Sequence, residues 1–166
     1  MKILLTLLMS ALFFIGCSDD EALKNAQAKL VVGNILANLE LPDQHQKMKK
    51  LSKDTKYLIF SFSKPVGHMC NAFLQDKKPT YLQQFNALYI ADVSPAPSII
   101  KNMFILPDLE KLPFEILLIN DDKLSAEFQK GIDTTKIVVA TLDNFKIVKI
   151  DYFADAKALE SFLSKN

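Results

Sequence analysis

Tyr57-Leu58-Ile59-Phe60-Ser61-Phe62-Ser63 is aromatic, β-branched and mostly apolar, without the strict alternation of a half-exposed strand. It predicts a strand buried on both faces near the middle of a sheet. Lys64-Pro65-Val66-Gly67 breaks the run, and His68 to Gln75 reads as a helix with Met69, Phe73 and Cys70 toward its inner face. The pattern then repeats outward. Ala87 to Val93 is a second central strand. Ser98 to Leu112 has helical spacing at Ile99, Met103, Leu106 and Leu109, with a kink at Pro107. Phe114 to Ile119 is a third strand and Leu124 to Gln129 a short helix. Lys136 to Leu142 and Phe145 to Ile150 are strands joined through Asp143-Asn144, a two-residue hairpin signal. Asp155 to Leu163 closes the chain as an amphipathic helix with Ala156, Leu159, Phe162 and Leu163 inward. Upstream, Leu36 to Leu41 and Met48 to Leu51 read as a hairpin around Pro42 to Gln46, and Gly33 marks the start of the folded part. Strands alternating with helices predict an α/β fold, and the terminal hairpin makes the sheet mixed, with about five strands.

The N-terminus carries a different signal. Lys2 is followed by an apolar run from Ile3 to Ile15, broken by Thr6 and Ser10, then Gly16 and Cys17. This is the layout of a secretory signal, and the run is short for a membrane-spanning helix, which needs about 20 residues. Phe14-Ile15-Gly16-Cys17 resembles the lipobox of bacterial lipoproteins, with Phe14 where Leu is usual. The resemblance implies that residues 1–16 are a cleaved signal and that Cys17 accepts the lipid. Residues 17–32 are then a tether, polar from Ser18 and running into a short helix through Val32, and residues 33–166 are the domain. Ser18 rather than Asp after Cys17 favours the outer membrane over the inner, with the domain facing the periplasm.

Composition narrows the function classes. The chain has 166 residues and a formal net charge of +1, so it lacks the basic footprint of a nucleic-acid binder. All 20 of its basic residues are lysines. Without arginine there is no planar fork to grip phosphate or carboxylate in two places. Of the two cysteines, lipidation consumes Cys17 and leaves Cys70 without an internal disulfide partner. His45, His68 and the scattered aspartates show no metal-ligand spacing, and no Gly-rich phosphate loop is present, so neither a metal nor a cofactor is expected.

The element order, hairpin first, resembles the thioredoxin-like superfamily in its peroxiredoxin-type layout. Gly33 through Leu41 with Pro42-Asp43-Gln44, the strand Tyr57 to Ser63, Asn120 to Phe128, and Leu142 to Val148 carry the resemblance. The connection from Pro95 to Pro113 is also similar to the periplasmic YtfJ-like group. The resemblance implies a C-x-x-C pair at the start of the first helix and a cis-proline before the penultimate strand. The matching positions here read Gly67-His68-Met69-Cys70 and Thr134-Thr135-Lys136. Gly67 stands where the attacking cysteine would be and Lys136 where the proline would be. A peroxiredoxin would further need a threonine in the loop between proline and cysteine, and an arginine.

The expected function is therefore a membrane-anchored domain without redox activity that binds a periplasmic protein or a small ligand. Gly67, His68 and Asp92 are the candidate binding residues. The rival from another class is a one-cysteine thiol oxidoreductase or peroxidase using Cys70 as nucleophile with His68 as base. A thiol buried in a helix is more commonly a small core residue, and Asp92 can equally cap a loop at the strand end.

Overall fold

The computed structural model describes residues 29–165. The expected signal 1–16, the expected lipid-bearing Cys17 and the expected tether as far as residue 28 lie outside the described residues. Of the expected tether helix, residues 29–32 are described and are not helical. Leu30 is instead buried against the sheet, so the folded part reaches back at least that far.

Two strands, β1 (Glu40–Pro42) and β2 (Met48–Lys50), form an antiparallel hairpin. The main sheet contains β3 (Tyr57–Ser61), β4 (Ala87–Asp92), β5 (Leu117–Ile119), β6 (Ile137–Asp143) and β7 (Lys146–Phe153), in the order β5-β4-β3-β6-β7. The three strands β3, β4 and β5 run parallel, and β6 and β7 run antiparallel to their neighbours. Every residue of β3 is buried, which is why its sequence does not alternate: Tyr57 and Ile59 serve one core, Leu58 and Phe60 the other. The first core lies under α1 (Lys64–Gln75), a helix over 98–110 (α2) and α4 (Ala156–Leu163). The second lies under α3 (Asp122–Gln129), the N-terminal hairpin and the segment 30–39.

Several boundaries differ from the sequence expectation, each for a physical reason. The first strand of the hairpin is only Glu40–Pro42; Leu36 and Leu39 are buried from a turn, and Pro42 is tolerated because the strand is at an edge. Phe114 to Ile116 is not a ladder strand. The Gln44 amide takes its place there: Gln44 Nε2 donates to the Phe114 carbonyl (2.7 Å) and Oε1 accepts from Ile116 N (2.9 Å). Asp43, also buried, accepts from His45 N and Lys47 N and so fixes the turn that carries Gln44. The hairpin is thereby stitched over the outer edge of β5, which would otherwise be open to pairing with another chain.

Helix α1 begins four residues earlier than the sequence reading, at Lys64 rather than His68. Pro65 sits in its first turn, where the missing N–H has no helical partner to lose. Helix α2 opens as an α-turn (Ser98–Ile100), widens into a π-helix (Lys101–Ile105) and ends as α (Leu106–Glu110). Pro107 has no N–H for the carbonyl of Met103 and its ring crowds that carbonyl, and the helix widens ahead of it. The extra residue in the turn changes which side chains face in. Leu109 is buried as expected, whereas Ile99 and Met103 are 71 % and 64 % exposed. The β6–β7 turn is Asn144-Phe145, one residue later than expected, with both residues at positive φ (48° and 67°). That is the geometry of a type I′ hairpin, and Phe145 takes the usual glycine position while its ring packs on the second core.

Candidate functional site

The parallel strands end on one rim of the sheet, where open α/β sheets place their ligands. Three connections meet there: Phe62-Ser63 into α1, Val93 to Pro97 into α2, and Asn120-Asp121 into α3. Residues 133–136 lead into β6 on the same rim. Asp133 accepts from Thr135 N and Oγ1 and pairs with Lys136 at 3.3 Å, all in an exposed turn. Among the described residues no peptide bond is cis.

Because α1 starts at Lys64, its N-terminus is formed by Ser63 to Val66, and no sulfur lies there. A helix N-terminus is the position that depresses a thiol pKa and makes it nucleophilic. Cys70 lies nearly two turns in, on the buried stripe Val66, Cys70, Leu74. It is 1 % exposed. Burial pushes its thiol up from 9.0 to about 12, against a smaller lowering by a hydrogen bond from the Tyr89 hydroxyl. Tyr89 in turn shares a 2.9 Å hydrogen bond with Ser61 Oγ in the core. Sulfur, phenol and hydroxyl thus satisfy one another beneath α1. His68 is on the same helix but exposed. Two positions along a helix correspond to a turn of about 200°, so the imidazole faces away from the thiol. Gly67 is half-buried, and a Cβ there would meet only Ser61 Oγ, at 3.7 Å.

Asp92, at the end of β4, is occupied within the protein. Its Oδ1 accepts from Ser94 N (2.9 Å), and its Oδ2 accepts from Ser125 Oγ (2.5 Å) and Gln129 Nε2 (2.8 Å). It ties α3 to the strand end and shapes the loop that follows.

That loop lines a cleft of about 700 Å³ between the starts of α2 and α3. Its walls are Ser94, Ser98 and Lys101 on one side and Asn120, Asp122 and Lys123 on the other. Lys101 Nζ reaches across to the Asn120 carbonyl at 3.4 Å. The Asn120 side-chain oxygen is buried and accepts no hydrogen bond from the described residues. Sequence reasoning reached Asp92 beside this cleft but missed its lining. Those residues come from two separate loops and form no motif; the one available signal was the Ser94-Pro95-Ala96-Pro97-Ser98 loop directly after a central strand.

Solved structures with this architecture share little sequence with the chain. A putative thiol:disulfide interchange protein DsbE from Chlorobium tepidum matches with a TM-score of 0.54 and 17 % identity, over 82 % of this chain and 97 % of its own. A cysteine-to-serine mutant of PrxQ from Xylella fastidiosa matches with a TM-score of 0.52 and 15 % identity, over 81 % and 94 %. The exposed lipoprotein thioredoxin Etrx1 from Streptococcus pneumoniae strain TIGR4 matches with a TM-score of 0.51 and 20 % identity, over 77 % and 98 %. No protein-family model matches the chain, and no curated protein matches it in sequence. The fold is thioredoxin-like: an α/β domain whose five-stranded mixed sheet is flanked by helices and preceded by a two-stranded hairpin. Peroxiredoxins and thiol:disulfide proteins share it.

Proposed function

We propose that this chain is a lipid-anchored periplasmic binding domain built on a thioredoxin-like fold, and that it does not exchange disulfides or reduce peroxides. The observation that carries the second half is the state of Cys70: buried, held by Tyr89, and with its thiol pushed up to about 12. Such a thiol supplies almost no thiolate near neutral pH, and the thiolate is the attacking species. The cleft beside Asn120 is the binding site for a protein segment or small ligand. The anchor is Cys17 in the Gly16-Cys17 junction, with Ser18 directing the chain to the outer membrane. The name of the pneumococcal neighbour, an exposed lipoprotein thioredoxin, is in keeping with a lipid on this fold.

Two measurements test the proposal together. The full chain expressed in bacteria and fed a radioactive fatty acid should incorporate label that is lost in Cys17→Ala; equal label in both removes the anchor. The purified mature chain should reduce insulin disulfides and consume peroxide no faster than a free thiol; faster turnover that is lost in Cys70→Ser hands the function to the oxidoreductase reading.

A further inference from the structure

Val31, Val32, Ile35 and Val148 are large apolar residues left 45–59 % exposed. Ile35 and Val148 share one face of the paired segment, and Val31 and Val32 lead into it. Gly33 N donates to the Ile147 carbonyl (2.7 Å), Ile147 N to the Asn34 carbonyl (2.8 Å), and Leu36 N to the Phe145 carbonyl (2.9 Å), so residues 33–36 run along the start of β7. Val148 is exposed by a bulge. Thr141 faces Lys149 and Leu142 faces Ile147, which leaves Val148 without an opposite residue. Gly33 lets the chain turn onto the strand: its φ of 96° is one that residues with a Cβ rarely adopt. Lys29 and Lys146 are exposed at the border of this surface.

The described chain begins at this surface. Cys17 stands twelve positions before Lys29, a length that spans at most about 40 Å. A lipid on Cys17 therefore holds Val31 and Val32, the first exposed apolar residues described after the tether, within about 40 Å of the membrane. The position within the fold is equally specific. Leu142 N donates to the Lys56 carbonyl (2.8 Å), which puts the β6–β7 turn at the end of the sheet where β3 begins. The cleft beside Asn120 lies at the other end, where β4 and β5 finish.

We propose that the domain rests on the phospholipid bilayer through Val31, Val32, Ile35 and Val148, so that the cleft is turned away from the membrane toward the periplasm. This rests on the reading of Cys17 as the lipid-bearing residue. The four side chains enter the headgroup boundary, where apolar surface leaves water, and Lys29 and Lys146 meet anionic headgroups. The exposed side chains Ile99 and Met103 of α2, near the cleft, then face the periplasm.

The test uses the mature chain, purified from bacterial membranes and reconstituted in vesicles of phosphatidylethanolamine and phosphatidylglycerol. An environment-sensitive fluorophore is placed on Val32→Cys or, in a second sample, on Met103→Cys; both positions are exposed and Cys70 is not. The label at position 32 should emit at shorter wavelength, be quenched by nitroxide-bearing lipid, and be several-fold less sensitive to iodide than the label at 103. If mass spectrometry finds the lipid on Cys17 and iodide quenches both labels equally, the docking face is wrong and the anchor stands. A label at 32 shielded from both quenchers also overturns the proposal, because protein rather than lipid then covers the face. Cys17 found without lipid overturns the docking proposal together with the anchor.

Discussion

Replacing Gln44 with leucine should unfasten the N-terminal hairpin from the sheet. Gln44 is 3 % exposed, and the two groups it serves, the Phe114 carbonyl and Ile116 N–H, belong to residues 5 % and 0 % exposed. Leucine fills a similar volume but offers no donor or acceptor, so both backbone groups lose their partner in a place water does not reach. A buried polar group left unsatisfied costs about 1–3 kcal/mol, and two of them put the loss at about 3 kcal/mol. For a domain of this size each kcal/mol lowers Tm by roughly 4 °C, a fall of about 12 °C. Gln44→Glu in its protonated form keeps an acceptor for Ile116 N and an O–H donor for the Phe114 carbonyl, so at a pH low enough to protonate it the variant should fall between wild type and Gln44→Leu; ionised, it buries a charge against that carbonyl and should be worse than leucine. The assay is thermal unfolding by circular dichroism on the chain without its signal. A Gln44→Leu shift of about 1 °C or less, or protonated Gln44→Glu as harmful as leucine, would refute the view that this side chain replaces a ladder strand.

Two further outcomes follow from α1 and the core beneath it. Gly67→Ala should stabilise the domain by about 0.5–1 kcal/mol, because glycine in a helix interior is costly relative to alanine and the added methyl meets Ser61 Oγ only at 3.7 Å; a lower urea midpoint would contradict this. Alkaline pH should destabilise the fold through Cys70. Its thiol is raised by burial from 9.0 to about 12, so the unfolded chain ionises first, and the stability present below pH 9 is lost as pH climbs toward 12. The slope is about 1.4 kcal/mol per pH unit. Urea unfolding at about pH 8 and about pH 10.5, compared between wild type and Cys70→Ala, isolates this share at about 2 kcal/mol; equal pH dependence in the two proteins would exclude it.

Much of the fold was legible because the strongest local signals agree with the tertiary structure. Tyr57 to Ser61 is buried on both faces and reads so from its residues alone. The closing helix lies where the amphipathic run placed it, with Asp155 as its cap, accepting from Ala158 N, rather than as its first residue. The errors came where a local signal has two meanings. Pro65 and Gly67 read as breakers, yet Pro65 is compatible with a first helical turn and Gly67 is carried inside the helix. That shift matters for function: the helix N-terminus moves to Ser63, away from Cys70. The spacing over 98–112 assumed α-helical turns kinked only at Pro107, and the π-turn over Lys101–Ile105 exposed Ile99 and Met103. Gln44 could not be read as a strand substitute, because its partners are 70 and 72 residues away.

The rate of alkylation of Cys70 by iodoacetamide, followed against pH in the folded protein, tests the central claim most directly. With its thiol buried and raised to about 12, Cys70 should stay unmodified in the native domain through neutral pH and react only as the domain unfolds, at a rate unaffected by His68→Ala. Modification already complete at about pH 6, slowed by His68→Ala, would contradict it and identify Cys70 as a working nucleophile.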